Sequence, residues 1–380
     1  MSRHRAFRIA GLILLGLAAI PPARPALATA ESHAIIGYVY SPHAPIDPST
    51  FPANRLTHVN YAFANVVNGQ VVEGGELDAA NLAALGGLRR THPHLRVLVS
   101  VGGWTWSGAF SDAALTPESR TRFVASAVEF VRRHDLDGFD VDWEYPALPG
   151  NGNVHRPEDR EHFTALMTEL RIALDRVQRA HRPRPILTMA AGAFSDFLAH
   201  TEMDKVAKVA DYINLMTYDF RVQGAEPVSG HHANLHASPL DDRHKSVEAE
   251  VEAFLAAGVP ARRLVVGVPF YGRAWAMASS DRRGLYAPGS APTSRIDASY
   301  GRLSSEFVNQ NGYTRYWDED AKAPYLWNEA ERIFISYEDP ESLRLKCAYI
   351  RSEHLAGAMF WQLGDDPAAA LLGVLARELE

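Results

Sequence analysis

The sequence predicts an α/β protein built as a closed (β/α)8 barrel, with a small α+β insertion between its seventh and eighth strands. Three observations carry that prediction. Eight apolar runs of strand length recur along the 380 residues. Segments with helical periodicity alternate with them. One interval, between the seventh and eighth runs, is far longer than a plain crossover needs. Nearly continuous apolar runs mark parallel strands covered on both faces, and strand–helix alternation implies a parallel sheet. Eight such strands in a chain of this length suggest a barrel.

Taken in order, the strand runs are "HAIIGYVY" (33–40), "LTHVNYAFANV" (56–66), "LRVLVSVGG" (95–103), "LDGFDVDWEY" (136–145), "ILTMAAGA" (186–193), "YINLMTYDF" (212–220), "LVVGVPFYG" (264–272) and "GAMFWQLG" (357–364). Between the third and fourth, "TPESRTRFVASAVEFVRRH" reads as a helix. Thr116 is its N-cap and Pro117 its first helical residue. Phe123, Ala127, Phe130 and Val131 form its apolar stripe. After the fourth strand, "PEDREHFTALMTELRIALDRVQRA" repeats the pattern through Phe163, Leu166, Leu170, Leu174 and Val177. The 84 residues between Gly272 and Gly357 are too many for one helix. Residues 274–340 are rich in Gly, Pro, Tyr and Ser, with strand-like pieces "TRYWDED", "APYLWNE" and "RIFISYE", and are read as an inserted α+β subdomain. "PESLRLKCAYIRSEHL" (340–355) reads as the barrel's own seventh helix, with the single cysteine, Cys347, as a small buried hydrophobe on it.

Residues 1–30 predict a secretory signal peptide. A basic start precedes the apolar run Ile9 to Ile20, and small residues follow at Ala28-Thr29-Ala30. The run is too short to span a bilayer comfortably. The expected mature chain, 31–380, is the catalytic barrel, and a location outside the cell or in the periplasm is expected. Formal net charge is −7. The first thirty residues hold four arginines and no acidic residue, so removing their +4 from −7 leaves −11 for the rest. A hydrophobic content of 47% excludes a disordered chain. The acidic balance gives no support to a nucleic-acid partner. No membrane partner is expected after cleavage of the leader, and a monomer is expected.

The stretch "DLDGFDVDWEYP" (135–146) holds four aspartates and a glutamate inside what otherwise reads as a buried strand, where aspartate is disfavoured. Side chains alternate along a strand. Asp140, Asp142 and Glu144 therefore share one face, and Val141, Trp143 and Tyr145 the other. Asp137 is out of phase, near the strand's start. The row of carboxylates runs up the barrel interior, with Glu144 last, at the end where barrel active sites sit. Neighbouring like charges raise the pKa of some members. A carboxyl kept protonated near neutral pH can protonate a leaving group. The row thus reads as a device that makes Glu144 a general acid. A purely structural carboxylate network is the bland alternative. A metal site is disfavoured because a straight row does not surround an ion, and neither a metal nor a cofactor is expected.

"DGFDVDWEYP" resembles the DxxDxDxE signature of glycoside hydrolase family 18, the chitinase family. The resemblance spans the mature chain through "SVGGW" (100–104), "MTYD" (216–219), "YGR" (271–273) and "GAMFWQ" (357–362), each at the end of a predicted strand. The insertion after "YGR" resembles that of the family's deeper-cleft members. The family is an exception to two-carboxylate glycoside hydrolysis, being substrate-assisted. The resemblance implies chitin or chito-oligosaccharides as substrate. It implies that Glu144 is the acid and base, that Asp142 holds the acetamido nitrogen, and that Asp140 tunes Asp142 with Tyr38 and Ser100 nearby. Tyr218, which shares its inward phase with Met216, would hold the acetamido oxygen. Asp219 and Arg273 would contact sugar hydroxyls, and Trp361 would floor the site. Phe63, Trp104 and Tyr145 would line it, with Gly102, Gly103, Thr105, Met216 and Tyr271 completing the substrate-binding set. The histidine-rich "GHHANLHASP" (230–239) is read as a structural or substrate-side loop rather than a metal site. Two other functions compete. A chitin-binding lectin would typically have lost the acid, which is present here. An endo-β-N-acetylglucosaminidase would share the acid and the acetamido chemistry.

Overall fold

The computed structural model of the protein describes residues 33–177 and 182–380; the expected leader, 1–30, lies outside them. Eight parallel strands form a closed ring. They are Ala34–Tyr40 (β1), His58–Val67 (β2), Arg96–Gly102 (β3), Gly138–Asp142 (β4), Ile186–Gly192 (β5), Tyr212–Met216 (β6), Leu264–Pro269 (β7) and Gly357–Trp361 (β8). Each pairs with its neighbour, and β1 closes the ring by pairing with both β2 and β8, Ala34 opposite Gly357. The alternation seen in the sequence sorts the side chains. Ile35, Val39, Phe139, Val141, Trp143, Ile213 and Leu215 pack in the layer between strands and helices. Ala34, Ile36, Tyr38, Val265 and Met359 form a second cluster inside the ring.

Four strands, β4, β6, β7 and β8, stop three or more residues earlier than their apolar runs suggest, because the backbone turns out of the ladder. The fourth ends at Asp142, so Glu144 stands on the departing loop. The sixth ends at Met216. Beyond it the Thr217 hydroxyl donates to the Gly267 carbonyl and accepts from its N–H, at 2.7 and 3.0 Å, in place of ladder bonds. Asp219 then takes a positive φ of 59°, a region few non-glycine residues enter. The seventh ends at Pro269, and Arg273 opens a separate strand rather than closing β7. Gly102, with φ 107°, ends the third strand, and Gly103, Trp104 and Thr105 lie in the one-turn helix Gly103–Trp106.

The helix Pro117–Arg133 (α1) starts as its sequence indicates. The Thr116 hydroxyl accepts from the Ser119 N–H in a reciprocal capping box. Asp159–Asp175 (α2) buries Phe163, Leu166, Leu170 and Leu174, but stops before Val177, which is buried outside the helix. Pro340–Ser352 (α3) carries the fully buried, unpaired Cys347. Between β7 and β8 lies a five-stranded antiparallel sheet of Arg273–Met277, Gly289–Ser290, Tyr313–Asp318, Ala323–Asn328 and Ile333–Ser336. Trp275, Met277, Tyr286, Trp327 and Phe334 give it a core of its own. Near the start of β4, Asp137 is buried, paired with Arg89 at 2.9 Å and Arg182 at 2.5 Å, and accepts from the Val97 N–H. His33, preceding β1, lies 3.1 Å from the carbonyl of Leu379. Among the described residues no helix is long and apolar enough to cross a membrane.

Candidate active site

The carboxylate row is held by the strands flanking β4. Parallel pairing sets Ser100 and Thr188 beside Asp140. Asp140 is fully buried and accepts from Tyr38 Oη at 2.9 Å, Ser100 Oγ at 2.7 Å, Asn214 Nδ2 at 3.4 Å and the Thr188 hydroxyl. Asn214 also donates to Tyr38 Oη at 3.1 Å. Burial raises the Asp140 pKa, while these four donors oppose the rise. Tyr38 stays neutral, its phenol pushed well up by burial and by the charges of Asp140 and Asp142.

Asp142 has no comparable set of donors. It is buried, and its Oδ1 makes no hydrogen bond within the protein, an arrangement that costs free energy unless a donor arrives. Burial, then the charges of Glu144 and Asp140, raise its pKa well above the usual carboxylate range. Glu144 is only 8% exposed. Burial pushes its carboxyl up to about 7, the charge of Asp219 adds to the rise, and a hydrogen bond from Tyr145 opposes it. At neutral pH a proton therefore resides on the upper part of the row.

Across the opening stand Tyr218 and Asp219. Arg273 grips Asp219 through Nε at 2.7 Å and a terminal nitrogen at 2.5 Å, and Nδ1 of the buried His232 lies 3.5 Å away. Burial works against ionisation of Asp219, but the bonds and charges of His232 and Arg273 outweigh it and hold its pKa well below the usual range. Tyr218 is half-buried inside the ring with Met216 and packs edge-on to Tyr271, ring centres 6.3 Å apart. Burial raises the Tyr218 phenol, and the nearby charges of Asp142 and Glu144 add to it.

Aromatic rings line the opening. Phe63 and Trp361 are stacked, 5.4 Å apart and 15° from parallel, and Tyr38 lies 6.0 Å from Trp361. On the other side Trp104, 52% exposed, meets Tyr145 at 6.5 Å. Thr105 is exposed beside it. Gly102 and Gly103 are buried. A Cβ on Gly102 would lie 2.2 Å from the Asp142 carbonyl, and one on Gly103 would strike the Phe63 ring. The ring end thus gathers the expected residues from all of these strands and from the loops leaving them.

Four residues here escape sequence reasoning. Thr188 and Asn214 are lone polar residues in apolar strands, and that is the only signal they give. Tyr40, 42% exposed, extends the aromatic wall 6.0 Å beyond Trp361; its shared phase with Tyr38 could have found it. Ser107, which binds the Glu144 main chain, gives no signal. The histidine loop packs as structure: His231 and His232 are buried, and His231 pairs with Asp318 at 3.2 Å.

Comparison with known proteins places these features in a family. The sequence profile of the Glycosyl hydrolases family 18 matches residues 34–366. Chitinase A1 of Niallia circulans is 37% identical over 455 residues, an alignment covering all of this chain and 64% of that protein. Mouse chitotriosidase-1 is 33% identical, covering 84% of this chain and 69% of its own. Among solved structures, a family 18 N-acetylglucosaminidase from Paenibacillus barengoltzii superposes with a TM-score of 0.83 at 40% identity, covering 91% of this chain and all of that one.

Proposed function

The chain belongs to the Glycosyl hydrolases family 18, and on that premise we propose that it is a secreted chitinase that cleaves β-1,4-N-acetylglucosamine linkages by substrate-assisted, retaining catalysis. One observation carries the mechanism: beside the protonated Glu144, the buried Asp142 keeps an oxygen free of protein partners. That oxygen suits the N–H of a substrate acetamido group. In the first step the acetamido carbonyl oxygen attacks the anomeric carbon. The glycosidic bond breaks and its oxygen takes the Glu144 proton. In the second step water gives a proton to the Glu144 carboxylate and attacks the anomeric carbon from the face the leaving group left, breaking the oxazolinium C–O bond and restoring the acetamido group. Two displacements retain the β configuration. Asp142 shares the positive charge that develops on the acetamido group, and the Tyr218 hydroxyl donates to its oxygen. Asp219 and Arg273 meet sugar hydroxyls, and Trp361 packs against the pyranose ring.

The resemblance to an N-acetylglucosaminidase favours a second reading on the same chemistry, release of single N-acetylglucosamine units. Incubation with N-acetylated chitin oligomers, cello-oligomers and a glycoprotein, with products identified, tests both. The chitinase reading expects short chitin oligomers as fresh β-anomers. Monosaccharide as the sole product supports the second reading, and cello-oligomer cleavage at a comparable rate overturns the acetamido mechanism.

A further inference from the structure

The geometry points to Ser107 as a positioning residue that sets the direction in which Glu144 enters the site, an inference resting on Glu144 as the general acid. The β4 ladder ends at Asp142, two residues before Glu144. The Glu144 N–H does not bond to a neighbouring strand; it donates to Ser107 Oγ at 2.8 Å. The same hydroxyl lies 2.9 Å from the Gly103 carbonyl and 3.1 Å from the Asp142 carbonyl, and its single proton goes to one of them. Ser107 is 1% exposed. It follows the one-turn helix after β3, and so ties the end of that strand to the end of β4.

The peptide segment around Trp143 is enclosed from other sides as well. The Asp142 carbonyl lies against the bare Cα of Gly102, and the Glu144 carbonyl against that of Gly150; a Cβ on either glycine would come within 2.2 Å of the oxygen. Past the last ladder bond these contacts fix where the Glu144 side chain starts. Displacement of a reacting group by about 1 Å lowers a rate by on the order of 10²-fold.

The test is Ser107→Ala, assayed on a chitin tetramer. We expect kcat to fall about 10- to 100-fold with KM within about two-fold of wild type. Calorimetric binding of the tetramer to Glu144→Gln and to Glu144→Gln/Ser107→Ala should agree within about two-fold, because the sugar-facing surfaces are untouched. Gly150→Ala crowds the Glu144 carbonyl and should give the same signature; it decides alone if Ser107→Ala does not fold. A folded Ser107→Ala with kcat within about two-fold of wild type overturns the inference. So does a fall in kcat accompanied by weakened tetramer binding, the mark of general loosening. Wild-type turnover by Glu144→Gln would instead overturn the general-acid reading on which it rests.

Discussion

Glu144 is a carboxyl that folding keeps protonated, and this has a thermodynamic sign. Its pKa rises from 4.5 to about 7 on folding. A raised acid contributes stability that is full below its unfolded pKa and is lost as pH rises through the folded value. Glutamine carries no such charge. Glu144→Gln should therefore melt higher than wild type at pH 8, with the margin closing toward pH 5; a margin that widens on acidification would contradict the assignment. In parallel, wild-type kcat should fall as pH rises through about 7, as the acid loses its proton. On the proposed mechanism Tyr218→Phe removes the donor to the acetamido oxygen, so kcat should drop on the order of 10²–10³-fold, read by initial rates on a chitin oligomer. The inward phase of Asp140 and Asp142 was legible because strand alternation has a period of two, whereas Glu144 lies past the end of the ladder, where that period no longer fixes a side chain's direction. Thr188 and Asn214 were not legible, because a lone polar residue in an apolar run names no partner. Ser107 acts through a main-chain bond across the end of another strand, a contact no sequence pattern encodes.

The element boundaries show which signals are local. Thr116, Pro117 and Ser119 announce α1, and the capping box they form follows from their side chains alone. Thr116→Ala should cost about 1 kcal/mol, measured by denaturant unfolding, with little change in kcat because the cap's bonds are exposed and run only between Thr116 and Ser119. The ends of β4, β6 and β7 were less legible. Apolar residues continue past each of them, but the ladder does not: Trp143 still packs on Phe110, 5.4 Å away, after pairing has ceased. Likewise "LVVGVPFYG" reads as one strand, yet the barrel ladder stops at Pro269 and Arg273 opens the antiparallel sheet. Gly272 lies between them, 2.7 Å from the Ser336 carbonyl as measured from an ideal Cβ position, a crowding visible only once the sheet is assembled.

At the scale of the molecule, eight apolar runs were enough to suggest a barrel, whereas the closure itself depends on Ala34 meeting Gly357, which nothing local announces. In the interior row Asp140 is occupied by four donors and one oxygen of Asp142 has no protein partner; on the proposed mechanism the row works through protons and hydroxyls. Incubation with EDTA should therefore leave hydrolysis unchanged; loss of activity restored by one particular divalent ion would reassign the row as a metal site. Closure also decides where the ends of the fold go. His33 and Leu379 touch on the face where the strands begin, while Glu144, Tyr218 and Trp361 stand where the strands finish. A short linker could join the two ends into a ring, and a new opening in a surface loop would give a circular permutant with its cleft intact. A module tethered behind residue 380 would hang on the far side from the cleft, leaving its mouth clear.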